Sequence, residues 1–124
     1  MELAPGDADA CTLTRIGHEA LDLLRERDFS SLAERFGYAL AYGRDIADAL
    51  RADCQPSAEL VPVGLHPKER SVVVKFFDAN DAGLLAVVEC VAPQSYGGAV
   101  SMSLVVTASG SRRWVTIEDV RHAV

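Results

Sequence analysis

Apolar residues early in the chain follow a helical period. Leu13, Ile16, Gly17, Ala20, Leu21 and Leu24 fall at i, i+3, i+4, i+7, i+8 and i+11, one stripe down a helix, with Arg15, Glu19, Asp22 and Glu26 left for water. Thr12 or Thr14 is the expected N-cap. The pattern breaks at Asp28-Phe29-Ser30-Ser31, because Asp and Ser favour backbone conformations in which their side chains bond to nearby N–H groups. Ser31-Leu32-Ala33-Glu34 reads as a capping box that restarts a helix, with Phe29 as its buried staple. Leu32, Phe36, Ala39 and Leu40 continue a stripe as far as Gly43, and Gly37 argues against one unbroken helix there. Asp45 to Leu50 reads as a further short helix, with acids in its first turn and Arg51 near its end, stopped by Gln55-Pro56-Ser57.

From residue 58 the period changes to two. "AELVPVGL" is a candidate edge strand, its Pro62 compatible with an unpaired side. "RSVVVKFFD" alternates Val72, Val74 and Phe76 against Val73, Lys75 and Phe77. "ANDAG" is a turn, and "LLAVVECVA" is the most apolar strand and the expected centre of the sheet. Pro93 to Gly98 reads as a loop. "VSMSLVVT" buries Val100, Met102, Leu104 and Val106 on one face, and "RRWVTIEDV" is the last strand after a turn at Ser109-Gly110-Ser111.

Helices followed by strands joined through short turns predict an α+β fold, two to three N-terminal helices on one face of a curved antiparallel sheet of four to five strands. The expected organisation of residues 1–124 is a single domain: a flexible tail over 1–9, a helical layer over 10–54 and an antiparallel meander over 58–124. The second sheet face mixes Val73, Phe77, Val105 and Trp114 with Ser101, Ser103 and Lys75. That is too apolar for plain solvent and points to a pocket or an interface, most simply a homodimer contact.

A hydrophobic content of 49% with 24% charged residues is that of a globular chain. No apolar run reaches the roughly 18 residues of a membrane span, and "MELAPGDADAC" lacks the basic start and apolar block of a secretory signal. Cys11, Cys54 and Cys90 are odd in number and widely spaced, which suits reduced thiols in a cytoplasmic protein, with Cys90 in a strand core. The net charge of −6 argues against nucleic acid or an anionic membrane as partner. Residues 1–54 hold 11 acids and 6 bases, a net of −5, whereas 55–124 hold 7 and 6, a net of −1. An acidic half of this kind either steers a basic protein partner or is a solvated helix surface.

The residues that carry chemistry form no recognisable catalytic set. The histidines His18, His66 and His122 do not cluster and show no metal-ligand spacing, so no metal or cofactor is expected. Ser101 and Ser103 lie mid-strand rather than on a nucleophile elbow. Gly97-Gly98 is followed by neither a helix nor a Lys, and "ANDAG" lacks the distal Glu of a calcium loop. Arg112-Arg113-Trp114 reads as a cation–π anchor, a small basic patch or ordinary surface. Glu89, within the most apolar strand, is the candidate catalytic residue: buried, it would be a base of raised pKa; on the wetter face, it would pair with Lys75 or an Arg across the strands.

The stretch "ALDLLRERDFSSLAERFG" resembles the first two helices of NTF2-like (cystatin-like) α+β domains, in which an Asp-Phe at the helix break is frequent and a curved antiparallel sheet wraps the helices. This chain departs from them in having no evident helix between its early strands. Enzymes of that family set Asp, His, Tyr or Arg in a sheet-lined pocket. The matching residue types here are His18, His66, His122, Tyr38, Tyr42, Asp78, Glu89 and Asp119. The ending "WVTIEDVRHAV" looks like the last strand of small acidic bacterial proteins, among which immunity proteins of toxin–immunity systems occur. These resemblances imply a binding protein that neutralises a basic toxin domain, with Asp45, Asp48, Asp78, Asp81, Glu118 and Asp119 as the carboxylates offered to it. They also imply an alternative, a small-ligand domain or enzyme with a pocket on the sheet face.

Overall fold

The computed structural model describes residues 1–4, 6–54, 70–93 and 99–123. Its elements are β1 (Glu2–Leu3), α1 (Ala10–Arg25), α2 (Phe29–Phe36), a 3₁₀ turn (Ala39–Ala41), α3 (Ile46–Asp53), β2 (Ser71–Phe76), β3 (Leu84–Pro93), β4 (Ala99–Ser109) and β5 (Arg112–Ala123). The strands form one antiparallel sheet in the order β1-β5-β4-β3-β2, so the fold is α+β with its helices N-terminal to a four-stranded meander. The candidate strand "AELVPVGL", the Pro93–Gly98 loop beyond Pro93, and His66 lie outside the described residues.

The stripe that predicts α1 is the stripe that α1 buries: Leu13, Ile16, Gly17, Ala20, Leu21 and Leu24. Its cap is Asp9 rather than Thr12 or Thr14; the carboxylate accepts from the Thr12 N–H at 2.7 Å. An ionised Asp meets the positive end of the helix better than a hydroxyl does. The helix closes with a Schellman arrangement, in which the Asp28 N–H donates to the Leu23 carbonyl and the Arg27 N–H to that of Leu24. This puts Arg27, a residue with a Cβ, in the left-handed region at φ 56°.

Asp28 then caps α2, accepting from the Ser31 N–H at 3.1 Å and the Ser31 hydroxyl at 2.7 Å. The expected Ser31–Glu34 capping box is therefore displaced by three residues, because the carboxylate of Asp28 outcompetes the Ser31 hydroxyl for the free N–H groups. Phe29 is buried as expected. Gly37, at φ 70°, ends α2, and Asp45 caps α3 through the Asp48 N–H.

The sheet buries a single parity of residues. Ala86, Val88, Cys90 and Ala92 stand opposite Val106, Leu104, Met102 and Val100, and the first two rows continue into Val115 and Ile117. All ten are buried, whereas the other parity stays partly exposed. Two irregularities bend the ladder, leaving Leu85 and Glu118 as the extra residues of bulges. By strand order β4, not β3, is the middle strand, because the fifth strand comes from the N-terminus.

That strand corrects the expectation of a flexible tail over residues 1–9. Glu2 and Leu3 pair with Trp114 and Arg113, the Val115 N–H donates to the Met1 carbonyl at 2.7 Å, and Leu3 is buried. Two residues carry too little pattern to announce a strand; an edge that offers pairing and a hole for Leu3 create it.

Gly17 sets the distance between the layers. A Cβ there would lie 2.5 Å from Val72 Cγ1 and 3.1 Å from Val88 Cγ1 and Cys90 Sγ. Only a glycine lets α1 lie this close to β2 and β3. Arg70 ties the same region, donating to Asp22 at 2.9 Å and to the His18 carbonyl at 3.0 Å.

Candidate functional site

The sheet register decides the role of Glu89. It stands opposite Val73 and Ser103, on the face away from the helices, and its Oε2 lies 3.3 Å from Lys75 Nζ with both side chains largely exposed. Of the two readings of Glu89, the structure shows the cross-strand pair with Lys75 and not the buried base.

The other candidates are dispersed. His18 is exposed on α1 and contributes only its carbonyl, to Arg70. His122 pairs by its backbone with Val100 in β5. Tyr38 is buried, and its hydroxyl donates to Asp53 Oδ2 at 2.6 Å. Arg44 grips the same carboxylate through both terminal nitrogens and also donates to the Ala41 and Leu40 carbonyls. Burial, and then the hydrogen bond to Asp53, push the Tyr38 hydroxyl's pKa upward, while Arg44 and then Tyr38 hold the Asp53 carboxyl below its usual range. A phenol raised in this way stays protonated and donates to Asp53, and the cluster is a clasp joining the 3₁₀ turn to α3. Residue spacing gives no warning of it, since the separation of nine between Arg44 and Asp53 matches no helical or strand repeat.

The six expected binding carboxylates fall in three separate places. Asp45 and Asp48 stand at the start of α3, where Asp45 is the cap and Asp48 pairs with Arg51 at 2.7 Å. Glu118 is exposed at the β5 bulge, and Asp119 pairs with Arg121 at 2.8 Å. Asp78 and Asp81 are exposed in the β2–β3 turn and meet no cation among the described residues. No hydrogen bond or ion pair joins one group to another among the described residues.

Large apolar side chains accompany two of these groups. Tyr42 (81% exposed) and Ile46 (37%) flank Asp45, while Val73 (45%), Phe76 (53%) and Phe77 (46%) precede Asp78 and Asp81. The β2–β3 turn is tied by hydrogen bonds. Asn80 donates to the carbonyls of Asp78 and Leu84 and accepts from the Leu84 N–H, and the Ala108 N–H donates to the Gly83 carbonyl at 2.7 Å. Phe76 ends β2, and Phe77, Asp78 and Asp81 follow it in this hydrogen-bonded turn.

Away from both groups, an open cleft of about 310 Å³ lies between β1, α1 and α2, lined by Glu2, Leu3, Arg15, Glu19 and Arg35. None of the expected site residues lines it. Among the described residues no three His, Cys, Asp or Glu side chains form a metal-holding group, and no described helix is long and apolar enough to cross a membrane. The Arg112–Trp114 alternative of a cation–π contact is realised, with the guanidinium 5.6 Å from the ring centre. Comparison of the chain with protein-family models, with curated proteins and with solved structures found no match.

Proposed function

We propose that this protein is a non-catalytic binding protein for a basic protein partner, in its sharpest form a bacterial, cytoplasmic immunity protein that neutralises a cationic toxin domain by direct contact. One observation carries the reading: the exposed Phe76 and Phe77 directly precede Asp78, and Asp78 and Asp81 meet no cation among the described residues. An apolar patch with a carboxylate rim is the surface that a partner with basic and apolar side chains fits. The test is titration calorimetry against the product of the neighbouring reading frame, repeated from about 0.05 to 0.5 M salt, over which the screening length falls roughly threefold. Affinity that weakens with salt and with Asp78→Asn/Asp81→Asn supports the reading. Affinity indifferent to both refutes it.

A second reading, a small-ligand domain, draws on the cleft beside Arg15 and Arg35, which lies between β1, α1 and α2 and not on the sheet face that the NTF2-like resemblance implies. Its volume is at the lower end of the roughly 300–1,000 Å³ of ligand sites. A thermal-shift screen with small carboxylates and zwitterions tests it: a shift that Arg35→Ala abolishes supports a site there, and a flat screen removes it.

A further inference from the structure

We infer that the partner is recognised as an added strand: an extended segment alternating basic and apolar residues pairs along the outer edge of β2 and ends with a cation at Asp78 and Asp81. The inference rests on the basic-partner reading and names the surface and the form of the ligand. Among the described residues β2 is the last strand of the sheet. The Phe77 N–H donates inward to the Leu85 carbonyl at 2.9 Å. By the alternation of an antiparallel ladder, Val73 and Lys75 also point their backbone groups at β3, and Val72, Val74 and Phe76 point theirs away from it.

The side chains of this edge are Ser-Val-Val-Val-Lys-Phe, long and apolar with one charge, and that charge is held on the outer face by Glu89. Sheet edges that must stay unpaired are short, bulged or guarded by several charges. Here both bulges lie elsewhere, in β3 and β5, and the edge is straight over six residues. Its side chains also suit a guest strand: Phe76 and Phe77 project to opposite sides at one end, as successive strand residues do, and both are half exposed.

Charge complementarity fixes the chemistry of the occupant. Past Phe77 the turn offers Asp78 and Asp81, with no described cation to neutralise them, on backbone held by Asn80. A guest strand reaching that level places an Arg or Lys against two exposed carboxylates, and its alternate apolar residues, all on one face, meet Val73 and Phe77.

The probe is a synthetic nonapeptide of alternating Arg and Val, compared with its Glu-Val counterpart and with an Arg-Val peptide N-methylated at every second amide, which keeps the charge and abolishes one pairing edge. Amide exchange and chemical shifts are followed on the whole chain. The expected result is slowed exchange at Val72, Val74 and Phe76 with the Arg-Val peptide and none with Glu-Val. N-methylation is expected to weaken binding at least about tenfold, as the loss of two or three hydrogen bonds implies. Asp78→Asn/Asp81→Asn, confined to an exposed turn, leaves the fold intact and lowers affinity and salt dependence together. If the N-methylated peptide binds equally well, or exchange at β2 does not change while cationic peptides still bind with salt dependence, strand addition is wrong and the basic-partner reading stands. If no cationic peptide binds better than the Glu-Val control, the basic-partner reading itself fails.

Discussion

Replacing Gly17 by alanine sets two known effects against each other. In an exposed helix the change stabilises by roughly 1 kcal/mol, because alanine loses less backbone entropy on folding. At Gly17 the new methyl would sit 2.5 Å from Val72 Cγ1 and 3.1 Å from two further side-chain atoms, where carbon atoms pack comfortably at about 3.5–4.0 Å. One side of the contact must move by about 1 Å, and overpacking of this kind costs roughly 1–3 kcal/mol. Val72 is β-branched and cannot turn aside freely, and Val88 and Cys90 are fully buried. The expected balance is a net loss of about 1 kcal/mol, a fall of about 3–5 °C in the thermal midpoint for a domain of this size.

The assay is urea unfolding followed by far-UV circular dichroism, on Gly17→Ala, Val72→Ala and the double variant. Val72→Ala alone destabilises by loss of packing. In the double variant the alanine methyl occupies the space that Val72 vacates, so its stability should exceed the additive expectation by at least about 0.5 kcal/mol. A Gly17→Ala protein more stable than the original, together with strict additivity, would refute the close approach of α1 to β2. It would also remove the support that holds the β2 edge in place.

The remaining predictions concern caps, strain, thiols and pH. Asp28→Ala is expected to lower stability by about 1 kcal/mol, the usual worth of an N-cap, while Glu34→Ala leaves the urea midpoint nearly unchanged because Glu34 caps nothing. Arg27→Gly and Tyr42→Gly, at φ 56° and 51°, should each stabilise by up to roughly 1 kcal/mol, a left-handed penalty of about 1–2 offset in part by unfolded-state entropy. Burial pushes the thiols of Cys54 and Cys90 up to about 12. A disulfide reagent at mild alkaline pH should therefore titrate the exposed Cys11 quickly and the other two only after denaturation. For Asp53, whose carboxyl is held below 3.8 by Arg44 and then Tyr38, the folded pKa lies under the unfolded one. Its stabilisation is complete above the unfolded value and is lost as pH falls through the folded value, so Asp53→Asn should flatten that acid limb of the urea-midpoint profile.

What the chain disclosed in advance was what periodicity encodes. The six-residue stripe of α1 and the single buried parity of β4 follow from apolar spacing alone, because an amphipathic helix or strand buries its apolar face. Caps were legible in kind but not in place. At both helix starts a carboxylate took the position where a hydroxyl was expected, a competition between neighbours that residue preferences do not rank. β1 and the Tyr38–Asp53–Arg44 clasp were not legible, since each depends on what the folded sheet or a distant turn presents to it. Glu89 shows a third case. Its strand was evident but its face was not, and face follows from register, which Val73 and Ser103 fix only once β2 and β4 are in place.

The acidic bias of the first half changes meaning once its partners are known. Of the 11 acids in residues 1–54, Asp9, Asp28 and Asp45 cap helices. Glu2, Glu19, Asp22, Glu26, Asp48 and Asp53 are in ion pairs. Only Asp7 and Glu34 lack either role among the described residues, and no exposed large apolar side chain lies beside either one in the sequence. The nearly neutral second half holds Asp78 and Asp81, which have no such role and follow two exposed phenylalanines. Net charge therefore counts many carboxylates that are already occupied: one held by a cap or a guanidinium has little left to offer a partner. The proposed cation-binding surface is therefore the tip of the β2–β3 hairpin, where Asp78 and Asp81 are free of both roles among the described residues.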